Sequence, residues 1–162
     1  MNPDSIAQLQ AEIKAASAKG SYREHTCMGL DTFAGDAPTA PDATFLTSIL
    51  AFPGDEDDDE DDEPTDFKAV LCEVSEKVAL QMCCEFLEKD ATRKCKVMDP
   101  VQAEAFALRF FAFFDPDTRR CFSNRASPET YGKSCLSWVT CDTGIYMVDS
   151  KKQGVLWVGD GD

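Results

Sequence analysis

The chain holds a single imidazole, His25, two residues before a thiol, Cys27. A nucleophilic thiol needs a neighbouring base, and that base needs a third group to orient it. Side chains two apart diverge on a helix and share a face on a strand. The stretch around His25 reads as a loop and offers no orienting group, so the pair predicts no Cys–His enzyme. Ser–His–Asp chemistry fails for want of a histidine in the main apolar half. Carboxylates suited to acid–base work exist at Asp115, Asp117, Asp142 and Asp149, but all four fall at predicted turns. Asp is used in turns for its hydrogen bonds to nearby backbone. The closing Gly159-Asp160-Gly161-Asp162 lacks the helix and lysine of a phosphate-cradling loop. The sequence therefore predicts a non-enzyme with no catalytic residue, no metal site and no cofactor.

Eight cysteines are present, at 27, 72, 83, 84, 95, 121, 135 and 141. An even count suits a disulfide framework in a secreted chain, yet no secretory signal opens this one. No CxxC pair offers zinc spacing, and Cys83-Cys84 are adjacent. Most of the thiols lie inside apolar runs such as Val70-Leu71-Cys72. They read as reduced, small, buried hydrophobes.

The strongest chemical signal is charge. Asp55, Glu56, Asp57, Asp58, Asp59, Glu60, Asp61, Asp62 and Glu63 are nine consecutive acids in a chain of net charge −14. Like charges about 7 Å apart repel by roughly 0.6 kcal/mol in water before screening. Winding the run into a helix would add unfavourable i,i+4 pairs, and no apolar residue is there to offset them. A solvated, disordered acidic loop bounded by Pro53-Gly54 and Pro64 is expected. Such a loop suits either a passive solubiliser or a contact for a basic partner protein. Direct nucleic-acid binding is disfavoured, because phosphates are met by Lys and Arg. Arg119-Arg120 and Lys151-Lys152 sit at turns and read as turn solvation. The liganding pattern and mid-loop glycine of an EF-hand are missing.

The longest apolar run, Phe110–Phe114, is far short of the ~20 residues a membrane helix needs. An intracellular, cytoplasmic protein without membrane contact is expected. Phe110, Phe111, Phe113 and Phe114, with Phe106, put five rings in nine residues. One element cannot turn all of them inward, so at least one is expected at a surface or interface. Trp157 joins Phe110–Phe114 as a candidate anchor for a partner.

The elements that must carry these groups follow from periodicity. Residues 1–20 read as an N-terminal helix, with Pro3 at its first position and Gly20 at its stop. Ile6, Leu9 and Ile13 share one face. Residues 21–65 read as an irregular segment containing the acidic loop, with Thr44–Phe52 either strand or helix. Residues 66–162 hold eight of the 11 Phe and both Trp, and read as the body. Phe67, Val70, Leu71, Val74, Val78, Met82 and Phe86 predict one helix over 66–89, with a hairpin turning at Ser75-Glu76 as the rival. Asp99-Pro100 starts another helix, handing over near Arg109 to a strand at 110–114 that returns at 119–123. Strands at 134–141, 145–148 and 155–158 are separated by turns at Asp142-Thr143-Gly144 and Ser150–Gly154. The predicted fold is α+β: helices packed on one face of an antiparallel sheet, with a C-terminal β-meander. The functional expectation is a binding protein, an acidic inhibitor or immunity-like protein that occludes a basic partner. An accessory structural subunit of a larger assembly is the alternative.

Overall fold

A computed structural model describes residues 4–17, 23–50, 67–129 and 141–161. The elements are α1 (Asp4–Ala16), β1 (Arg23–Thr32), α2 (Ala43–Leu50), α3 (Phe67–Val70), β2 (Cys72–Val74), α4 (Glu76–Glu88), α5 (Pro100–Phe111), β3 (Arg120–Ser123), β4 (Cys141–Val148) and β5 (Lys152–Asp160). The five strands form one antiparallel sheet in the order β1-β5-β4-β3-β2. The fold is α+β, and β3-β4-β5 is the C-terminal meander.

The sheet is buried on both faces. One face packs on the three long helices through Leu9, Ile13, Met82, Phe86, Phe106 and Phe110, against Met28, Ile145, Met147, Leu156 and Val158. The other face is covered by α2 and α3, with Phe45, Leu46, Leu50 and Phe67 over Phe122, Tyr146, Val155 and Trp157. Alternation along each strand supplies both sets, because successive side chains point to opposite faces. The sequence reading placed helices on one face only. The long helices do lie together there, and the short ones close the other.

Local chemistry sets the boundaries. Asp99 caps α5 by accepting from Val101 N at 3.0 Å, with Pro100 in the first turn. Ser75 caps α4 by accepting from Val78 N at 3.3 Å. The single helix predicted over 66–89 is thus broken. Cys72, Glu73 and Val74 leave the helical course to pair with Ser123, Phe122 and Cys121. That ladder is non-local, and helical spacing within the segment does not reveal it.

Four further expectations change. Phe110–Phe114 is no strand: α5 runs to Phe111, and Phe113 and Phe114 bond back to Phe110 O and Phe111 O as tight turns. Residues 23–42, read as irregular, contribute a ten-residue edge strand, while the stretch left open as strand or helix forms the core helix Ala43–Leu50. Asp142-Thr143-Gly144 is not a turn but the interior of β4. Gly144 sits opposite Trp157, and a Cβ on it would lie 2.4 Å from Leu156 O and from the indole. Glycine there makes room for a ring rather than for a bend. Gly154 likewise lies within β5, the turn being made at Asp149–Lys151. Of the predicted strand 134–141, only Cys141 falls among the described residues.

Candidate functional site

The acidic run Asp55–Glu63 lies outside the described residues, and the nearest described residues on either side are Leu50 and Phe67. Leu50 closes α2 and Phe67 opens α3, and both belong to the same apolar cluster under the sheet. The chain therefore leaves and re-enters the fold on the α2–α3 side.

A buried polar relay sets α2. Asp42 caps the helix, its Oδ1 accepting from Phe45 N at 3.1 Å and its carbonyl from Leu46 N at 3.0 Å. Its Oδ2 accepts from Gln153 Nε2 at 2.9 Å. The Gln153 amide oxygen in turn accepts from the Tyr146 hydroxyl at 2.9 Å. Gln153 is 2% exposed and Tyr146 fully buried, so the relay is dry at its sheet end. The Gln153 hydrogen bond holds the Asp42 carboxyl below the usual range, reinforced by the capping amides. Burial pushes the Tyr146 phenol up to about 12.

The same side carries more acid. Alternation sends Asp31 of β1 and Glu73 of β2 to the α2–α3 face, and Asp31 and Asp36 are exposed. Glu73 is bound at both oxygens by Arg120, at 2.9 and 2.8 Å. That guanidinium also stacks over Phe122 at 5.1 Å and donates to Thr39 O. Its hydrogen bonds hold Glu73 below the usual carboxylate range. The Arg120–Glu73 pair is thus locally neutral.

The predicted aromatic anchors do not reach this surface. Phe110, Phe111, Phe113 and Phe114 are 0, 3, 8 and 3% exposed, and Trp157 is fully buried. The correction has a geometric cause. A helix followed by two tight turns sweeps successive rings around one core. Phe110 meets Phe114 edge to face at 5.6 Å and Phe111 at 6.2 Å. Arg109 covers Phe106 and Arg119 covers Phe111, closing the rim with cations. Among the described residues the exposed large apolar ones are instead Val101 and Leu108, seven apart on α5. Their helical spacing was the available signal.

The groups weighed for catalysis take structural posts. Asp149 accepts from the amides of Asp115, Lys151 and Lys152, tying two turns together. His25 and Cys27 both lie on β1, and burial pushes the Cys27 thiol up. Cys83 is fully buried and its thiol is raised well above its ordinary value by desolvation, while Cys121 is pushed up to about 12. The described residues contain no group of three or more His, Cys, Asp or Glu able to hold a metal ion. No described helix is long and apolar enough to cross a membrane. In comparisons with known proteins, the chain matches no family model, no curated protein and no solved structure.

Proposed function

We propose that this chain is a non-enzymatic cytoplasmic binding protein that covers a basic site on a partner protein with its acidic α2–α3 side. The supporting observation is the placement of Leu50 and Phe67, the described residues that flank the segment carrying Asp55–Glu63. Both are anchored in one apolar cluster, on the side to which Asp31 and Glu73 point and where Asp42 caps α2. Opposite charge steers association and fades with salt. Contact in this reading is electrostatic, the rings of Phe110–Phe114 and Trp157 serving the core. A pull-down of the intact chain at low salt and at about 0.5 M, where the Debye length falls to a few Å, tests it. A length-preserving variant with Asn and Gln at positions 55–63 runs beside it. The partner should be lost at high salt and on the neutral variant. A partner held equally in all arms removes the electrostatic account.

One observation favours an accessory subunit: Val101 is 75% and Leu108 49% exposed on α5, a face that a larger assembly would cover. In that case, changing both to Gln abolishes incorporation while salt has little effect.

A further inference from the structure

One face of α5 is spent on the core, through Ala103, Phe106, Ala107, Phe110 and Phe111. Its other face carries Val101, Ala105, Leu108 and Ala112, all exposed. At 3.6 residues per turn these four fall within an arc of about 60°. They lie four, three and four residues apart, the alternation a heptad gives to its d and a positions. The helix thus carries a short apolar seam, with Val101 and Leu108 at d and Ala105 and Ala112 at a.

Charge flanks the seam in heptad order as well. Glu104 takes the g position and Arg109 the e position, five residues further on. Glu104 is exposed and forms no ion pair or hydrogen bond among the described residues. Arg109 donates through Nη1 and Nη2 to the two Glu12 oxygens and lies over the Phe106 ring at 5.7 Å. Those contacts hold its guanidinium beside the seam, 46% exposed and with donors to spare.

The order of the charges decides which occupant fits. Residues at g and e pair between the helices of a coiled coil and set their orientation. Two copies of α5 lying parallel would each set Glu104 against Arg109 of the other copy. An antiparallel pair would set Glu104 beside Glu104 and Arg109 beside Arg109, which repels. In parallel register Leu108 meets Leu108 at d, and the alanines at a let the axes close to about 8 Å. A free helix of this length is marginal in water. Here α5 is already formed by its Asp99 cap and its core face, so pairing carries no folding cost.

We infer that the outer face of α5 is a dimer interface whose occupant is a second copy of this chain, with the two α5 helices parallel. About one and a half heptads bury less than a standard interface, so the dimer is weak, with a Kd on the order of 0.1 mM. The α2–α3 side lies on the opposite face of the sheet. The inference is therefore independent of whether that side binds a basic partner.

Sedimentation velocity on the intact chain, from about 10 µM to about 1 mM at about 0.15 M salt, tests it. A reversible monomer–dimer equilibrium is expected. Val101→Gln with Leu108→Gln should weaken it about tenfold or more. Both positions are exposed, so the urea midpoint of that variant should stay where it is. Glu104→Lys sets a cation against Arg109 and should weaken the dimer about tenfold, although it makes the net charge less negative. A chain still monomeric at about 1 mM overturns the inference and leaves the face to a different protein. A dimer that the double glutamine variant leaves intact overturns the interface. One that Glu104→Lys leaves unchanged or tightens overturns the parallel order.

Discussion

Replacing Gln153 by Ala tests the relay that sets α2 and, through it, the border of the acidic run. The amide makes two hydrogen bonds, to Tyr146 and to Asp42, both at 2.9 Å. Its loss leaves the buried Tyr146 hydroxyl without a partner, a cost of about 1–3 kcal/mol. Asp42 is only half-buried, so water replaces the amide at that oxygen and the loss there is nearer ~0.5–1 kcal/mol. The expected destabilisation at neutral pH is about 1.5–4 kcal/mol, read from urea unfolding at constant m. Tyr146→Phe removes the stranded hydroxyl, so the double variant should recover about 1 kcal/mol relative to additivity. The pH dependence adds a second check. Gln153 depresses the Asp42 pKa, and a depressed carboxyl gives stability that is present above its unfolded value of about 3.9. That stability is lost as pH falls through the folded value, so the gap between wild type and Gln153→Ala should narrow below about pH 3.9. A Gln153→Ala protein within about 0.5 kcal/mol of wild type, or a strictly additive double variant, would refute the relay.

Glu73 and Glu76 are held below the usual carboxylate range by hydrogen bonds from Arg120 and Arg119. Tm should therefore fall as pH drops below about 4.3, and Glu76→Gln should flatten part of that slope; an identical acid profile for the variant refutes the assignment. The thiols should sort by burial, since the thiolate is the reactive form. Exposed Cys95 should be alkylated fast in native buffer, whereas Cys83 and Cys121 react only as fast as the protein opens. Peptide mass spectrometry on a labelling time course measures this, and native Cys83 reacting at the Cys95 rate contradicts the packing.

Local signals read correctly from the sequence were those with a local cause. Leu9 and Ile13 mark the buried stripe of α1, and Asp99-Pro100 marks the start of α5. Misread features had partners far along the chain. Cys72–Val74 is a strand because β3 lies beside it, fifty residues on. Glycines at 29 and 144 resemble breakers, yet each clears space for a distant side chain, Ile49 and Trp157 respectively. The candidate surface divides the same way. Asp55–Glu63 is visible as charge without any fold. That Asp31 and Glu73 face the same side as α2 and α3 emerges only when β1 and β2 take opposite edges of one sheet.

That arrangement also makes the acidic run separable from the fold. Sixteen residues connect Leu50 to Phe67, and both pack within one apolar cluster of described residues. Closure entropy varies only with the logarithm of loop length, so even removing nine of the sixteen changes it by about 0.7 kcal/mol. Removing nine like charges relieves self-repulsion, which acts in the stabilising direction. Neutralising Asp55–Glu63 at constant length should therefore leave unfolding nearly unchanged while it alters association. Loss of a partner on that variant, with its unfolding midpoint intact, then reports on the encounter of charges and not on damage to the α2–α3 side.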